Sequence, residues 1–305
     1  MKKSFLLLII HLGFLFPLAA QINFSIEPII SSSLGKYDEY VLSFSGKGMV
    51  SKLEWQELPL FKIGTAAELS INSFLINADF FYGLPFNCGK MFDSDWNDHG
   101  IKTTYSISNN YAKRNYSFSL SAGYKFELVK ITLVPQISFE YVYDFFQTNE
   151  GHGWYGSEKY SKTGVDVSWD SPDARYYKKL SRISLSRKNW YFFSGINIFI
   201  PMSDKLLVHA GSFIAPFAYT YNSDYHYDDN GKNQDFYLNS SQNMLFSRFK
   251  ESLGFRYKIN QKISASFTTN IIFGDIQKGI LEGWEQYAGT DVFLADMRFG
   301  IKINF

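Results

Sequence analysis

The feature that most constrains this chain is an alternation of period two that runs along most of its length. In Asn115–Phe126, the residues Tyr116, Phe118, Leu120, Ala122, Tyr124 and Phe126 share one face, opposite Asn115, Ser117, Ser119, Ser121, Gly123 and Lys125. In Lys262–Phe273, Ile263, Ala265, Phe267, Thr269, Ile271 and Phe273 oppose Ser264, Ser266, Thr268 and Asn270. Successive side chains of a strand point to opposite faces, so each segment is greasy on one side and small and polar on the other. A soluble sandwich also alternates, but it more often puts charged residues on its water-facing side. Apolar-out, polar-in strands of roughly ten residues or more suit a membrane barrel, with lipid outside and a polar lumen within.

The N-terminal segment agrees with export. Lys2 and Lys3 precede an apolar run from Phe5 to Leu18, and Ala19-Ala20 offers small residues for cleavage before Gln21. This predicts a signal peptide over residues 1–20 and a mature chain from 21 to 305. No later apolar stretch is long enough for a transmembrane helix, so an exported chain of this kind is a barrel or a soluble protein. Aromatic residues, 19% of the sequence with 30 Phe and 21 Tyr, favour the barrel, whose outer band and girdles need them. The single cysteine, Cys88, excludes an internal disulfide framework. Lys plus Arg (30) nearly balances Asp plus Glu (29), which gives no support to a nucleic-acid partner. In Met297–Phe305 the odd-numbered residues form one apolar face ending on Phe305, like the terminal strands that outer-membrane barrels present for assembly.

Short turns are expected near Glu68–Ser73, Glu127–Lys130, Pro201–Asp204 and Asn260–Gln261. Longer polar loops are expected near Ser45–Gly48, Phe86–Thr103, Gln147–Lys179, Asp228–Gln242 and Gly274–Thr290. The expected fold is an all-β, antiparallel transmembrane β-barrel of about 10 strands with long outer loops.

Two short segments bear groups that do chemistry. In Asp93-Ser94-Asp95-Trp96, extended backbone puts Asp93 and Asp95 on one side, where one carboxyl can hold a proton or the two can share a water. In Asn222-Ser223-Asp224-Tyr225-His226-Tyr227, the outward set is Tyr219, Tyr221, Tyr225 and Tyr227 and the inward set is Asn222, Asp224 and His226. An Asp beside a His on one face orients the ring and favours its charged form, as a general acid or base requires. Taken alone, an Asp-x-Asp near a loop is more often a solvated turn or a weak calcium contact, and an Asp-x-His a surface pair. Both segments, however, fall where strands run into expected long loops. His99 and His152 fall in expected loops, and His209 on the outward parity of its strand. Trp154 and Tyr155, in a Gly-rich segment, are candidates for lining a groove.

Together these segments resemble the omptins, a family of outer-membrane aspartate/histidine endopeptidases. Asp93, Asp95 and Trp96 match the family's Asp-x-Asp-Trp, and Asp224, His226 and Tyr227 its Asp-x-His segment. Gly35-Lys36, Glu39 and Val41 resemble its first outer hairpin, and Val50-Ser51-Lys52-Leu53-Glu54-Trp55 its Val-Ser-x-Leu-Asp-Trp strand. The resemblance implies a bacterial outer-membrane location with the site facing outward, polypeptide substrates, and a water activated between the Asp93/Asp95 and Asp224/His226 pairs, with no metal. It implies that Glu39 holds a basic side chain beside the cleaved bond; Asn222 stands at the family's second acidic position. It also implies contact with outer-membrane lipid, including lipopolysaccharide held by basic residues on the outside. Arg187 and Lys188 lie near the expected strand, where plain interfacial anchoring is an equal reading. A barrel without activity, acting as an adhesin or structural protein, and a small pore are the rival functions. A barrel of about ten strands leaves little open lumen, since aqueous channels are expected at about 16.

Overall fold

The alternating segments become strands of a single antiparallel sheet. The computed structural model describes residues 21–43, 48–227, 234–283 and 287–305, so the expected signal peptide lies outside the described residues. The elements are β1 (Ile22–Leu42), β2 (Met49–Ile71), β3 (Phe74–Gly83), β4 (Phe86–Trp96), β5 (Lys102–Tyr124), β6 (Phe126–Glu127), β7 (Thr132–Tyr155) and β8 (Arg175–Tyr177). They continue as β9 (Ile183–Pro201), β10 (Leu206–Tyr227), β11 (Gln234–Met244), β12 (Arg248–Lys258), β13 (Ile263–Gly274), β14 (Gln277–Leu281) and β15 (Tyr287–Asn304).

The pairing closes on itself. Near the short turns the ring runs β1-β2-β3-β5-β7-β9-β10-β12-β13-β15 and back to β1. Near the long loops β4 replaces β3, and β11 and β14 replace β12 and β13. Both levels therefore have ten strands, and three of the ten are broken at mid-height. One break falls at Leu84-Pro85, where proline has no N–H to give to a ladder.

All four expected short turns lie at one end: residues 72–73, 128–131, 202–205 and 259–262. The strand ends that flank the five longer connections lie at the other; of the expected loops, residues 45–47, 228–233 and 284–286 lie outside the described residues, and much of the rest is strand. Phe86–Thr103 is a hairpin of β4 and β5 with a turn at 97–101, β7 runs on to Tyr155, and β11 and β14 occupy parts of the last two segments. The reason is physical. On β4 the inward side passes from the buried Cys88 and Met91 to the carboxylates Asp93 and Asp95, so the hydrophobic period breaks off while the backbone ladder persists.

The two faces follow the sequence. Phe118, Leu120, Phe299 and Ile301 are exposed on the outside, whereas Ser121 and Lys302 point inward and are buried. An aromatic row crosses the outside where the apolar band ends: Tyr116 meets Tyr143 at 4.9 Å, Tyr141 meets Trp190 at 5.4 Å, and Trp190 meets Tyr219 at 5.2 Å. Such a girdle suits a membrane–water boundary. One parity expectation fails. His209 lines the lumen beside Phe199, because a bulge between Ile214 and Phe217 inserts an extra residue and inverts the faces below it.

Inside the short-turn half, a cavity of about 320 Å³ is crossed by ion pairs. Arg298 bonds Asp296 at 2.6 Å and Asp79 at 3.1 Å, Lys302 bonds Glu68 at 2.8 Å, and Lys250 pairs with Glu140. At mid-height a buried apolar cluster that includes Tyr37, Trp55, Leu60, Met91, Phe146 and Leu185 separates this cavity from a second one above it. Trp55 stacks on Phe146 at 6.2 Å, and both are fully buried. Burying such side chains stabilises by about 1.5–3 kcal/mol each. The cluster is the floor on which the upper cavity rests.

The outside and inside of one strand should respond oppositely to charge. Leu120→Arg, in the middle of the apolar face of β5, is expected to destabilise the lipid-refolded barrel by about 2–4 kcal/mol in denaturant titrations. Ser121→Lys, one residue on and facing the polar lumen, is expected to cost less.

Candidate active site

The upper cavity, about 540 Å³, opens among the long-loop ends of the strands, beyond the aromatic row. Four carboxylates and one imidazole line it: Glu39, Asp93, Asp95, Asp224 and His226. Strand parity puts them there. Asp93 and Asp95 alternate inward on β4, Asp224 and His226 on β10, and Glu39 on β1.

Register supplies the neighbours. Asp95 lies directly between Ser51 of β2 and Thr104 of β5, and both side chains hydrogen bond to it. Asp93 lies between Leu53 and Ser106. Burial, and after it the Asp95 charge, hold the Asp93 carboxyl well above the usual carboxylate range, and the His226 charge opposes this. Burial also raises Asp95, against the bonds from Ser51 and Thr104. The pair is thus arranged so that at least one member retains a proton at a higher pH than a solvated aspartate does.

Opposite them, His226 Nε2 and Asp224 Oδ2 are 2.9 Å apart. Burial works against charge on the ring, but the Asp224 carboxylate, its hydrogen bond, and the charges of Asp93 and Asp95 outweigh it and raise the imidazole above its ordinary value. That coupling joins the two pairs electrostatically across the cavity. Asp224 itself is buried, and its Oδ1 has no hydrogen-bond partner among the described residues.

Glu39 forms part of the wall nearer the floor. Trp55 Nε1 donates to Glu39 Oε2 at 2.9 Å. Burial, then the Asp224 charge, push its carboxyl up to about 8, while Arg187, Trp55 and His226 pull the other way. Asn222 faces inward one step below Asp224 but does not line the cavity; it is 1% exposed, with both amide atoms unpartnered among the described residues. Arg187, opposite Asn222 in the ladder, is inside the barrel with its guanidinium carbon 4.0 Å over the Tyr37 ring. Its inward parity removes it from any lipid-facing cluster; Lys188 is beside Tyr221, at 5.8 Å. Tyr155 lines the cavity, whereas Trp154 packs outside it against Tyr105, Trp169 and Tyr176.

Sequence reasoning did not assign Trp55, Ser51 or Thr104 roles in the site. The first two lie in the Val50–Trp55 segment, and their inward parity was readable, but partners in register are fixed only when strands pair.

Fold and lumen define an outer-membrane β-barrel with a carboxylate-rich cavity at one end. The family model for Protochlamydia outer membrane protein matches residues 39–268, and the chain belongs to that family. No curated protein matches the sequence. Among solved structures, the outer membrane protease OmpT from Escherichia coli is similar over 93% of this chain and 97% of its own, with a TM-score of 0.74 and 15% identity. At that identity the likeness is one of fold. Neisserial surface protein A and OprG from Pseudomonas aeruginosa give TM-scores of 0.32 and 0.37 at 9% identity, covering 92% and 94% of this chain and 97% of each of their own chains. The family assigns the chain to the bacterial outer membrane.

The buried acid pair should cost stability. A carboxyl raised in the folded state loses its proton less readily than in the unfolded chain. Stability is then lost as pH rises from the unfolded value of about 4 through the raised folded one. Asp93→Asn should therefore be more stable than the parent at pH 8 and lose that advantage near pH 4, measured as urea midpoints of refolded protein.

Proposed function

We propose that the chain is an endopeptidase of the outer membrane, its cavity facing outward, that cleaves polypeptides beside basic residues. The observation that carries this reading is the convergence of Asp93, Asp95, Asp224 and His226 on one cavity, with the 2.9 Å Asp224–His226 contact. A water between the two pairs attacks the scissile carbonyl. The imidazole of His226 takes the water proton and later gives it to the departing amine, so the proton count closes. Asp224 orients the ring and stabilises the imidazolium. Asp93 and Asp95 position the water, and whichever holds a proton can donate to the developing oxyanion. Water is the nucleophile, so no acyl-enzyme forms.

Four carboxylates around one cavity favour a cationic side chain, and Glu39 stands where it can meet one. The short turns lie at the opposite end, and in barrels of this class short turns face the periplasm, which supports the outward orientation. Lipopolysaccharide is part of the same proposal as a lipid partner, tested by adding it to detergent-refolded protein and following the rate.

Cleavage of a peptide library by the refolded mature chain tests the reading; an intact library would leave a barrel with a structural or adhesive role. His226→Ala is expected to lower kcat/KM by on the order of 10²–10⁴ while the barrel stays folded. Asp224→Asn should also lower it, and the double variant should be little worse than the worse single one. The base must be neutral, so the rate should rise with pH through the raised His226 value. Separately, the preference for Lys or Arg over neutral residues should grow as pH rises toward about 8 and Glu39 ionises. A bound cation lowers that value by its own charge, so the growth should begin at a lower pH. A pH-independent preference would remove Glu39 from the recognition of basic residues.

A further inference from the structure

The cavity has a second chemical face that the carboxylates do not explain. Tyr155, Tyr160 and Tyr177 all line it. Tyr155 ends β7, Tyr177 lies in β8, and Tyr160 sits between them in a tight turn where its N–H, and that of Ser161, donate to the Ser157 carbonyl. Their rings pack nearly at right angles. Tyr155 and Tyr177 are 5.2 Å apart at 82°, Tyr155 and Tyr160 5.6 Å at 71°, and Tyr160 and Tyr177 6.4 Å at 87°. Edge-to-face contacts of this kind hold the rings in fixed positions.

Register places this wall relative to the acids. Tyr155 is opposite Thr104, which is opposite Asp95. Glu39 is opposite Leu53, which is opposite Asp93. The acid pair therefore stands between Glu39 on one side and the tyrosines on the other, each about two strand spacings away, or roughly 10 Å. A peptide lying extended across the pair points consecutive side chains in opposite directions. If one of the two residues flanking the cleaved bond reaches Glu39, its neighbour across the bond reaches the tyrosines.

We propose that Tyr155, Tyr160 and Tyr177 form a second side-chain subsite that takes an apolar or aromatic residue across the cleaved bond from the basic one. This rests on the endopeptidase reading and adds the second half of its substrate class. Lys179, two residues beyond Tyr177, lines the same rim and disfavours a second cation there. The preferred sequence is thus one basic residue joined to one aromatic or aliphatic residue, and a pair of basic residues is a poorer substrate.

The test uses the refolded mature chain and peptides that keep one Arg and vary the residue across the bond. Phe, Tyr or Leu there should raise kcat/KM roughly tenfold over Lys, Arg or Asp. Tyr160→Ala should bring these substrates close to parity while leaving the requirement for the fixed Arg, and Tyr160→Phe should keep the preference. A neighbouring Lys cut as well as Phe by the parent, or a selectivity unchanged in both Tyr160→Ala and Tyr177→Ala, overturns the subsite. If no peptide is cut, fluorescence-polarisation binding of the same set decides. Aromatic-selective binding that Tyr160→Ala abolishes keeps the subsite and overturns only the endopeptidase reading. Equal binding of all peptides overturns the subsite.

Discussion

Within lipid, a backbone N–H or C=O without a partner costs several kcal/mol, and water is not there to supply one. The pairing of β1 with β15 removes the two edges that an open sheet would expose, and every other feature of this barrel depends on that closure. Once the ring is closed, the strands run on past the aromatic row as continuous ladders. Side chains beyond the membrane are thereby carried on rigid backbone rather than on loops. Asp95 shows the benefit: its neighbours Ser51 and Thr104 are set by ladder register on either side.

Packing and electrostatics divide the lumen into levels. Ion pairs crossing the short-turn half tie strands far apart in sequence, such as β3 and β15 through Asp79 and Arg298. The mid-height cluster around Trp55 and Phe146 supplies an apolar floor, and Trp55 also turns a polar edge upward to Glu39. Above it, carboxylates are gathered at a density that burial alone would not tolerate. Their raised protonation and the opposing charge on His226 relieve the repulsion. A group of acids gathered in this way would gain from any cation that entered, which is the physical link between the raised carboxyls and the basic specificity proposed for the cavity.

Several elements were legible because a strand carries a period of two that sequence displays directly. The outward set of Asn115–Phe126 and the apolar face ending at Phe305 follow from it, as does the inward direction of Asn222, Asp224 and His226. The hairpin of β4 and β5 was read as loop because its residues show no sustained apolar period, although its two strands pair along their length, with bulges between Asn87 and Gly89 and between Asp95 and Trp96. His209 was placed outside because parity was carried through a bulge that no residue type announces.

The sequence by itself therefore determined the class of fold, the direction of side chains within each uninterrupted strand, and the residue types able to do chemistry. All of these are local properties of consecutive residues. Only the tertiary structure decided which strand meets which, and in what register. It brought Asp93 and Asp95 to the cavity that holds Asp224 and His226, put Trp55 under Glu39, turned Arg187 inward onto Tyr37, and assembled three tyrosines from β7, β8 and the turn between them. Register is a relation between segments distant along the chain, fixed by closing the whole ring, so no single segment can contain it.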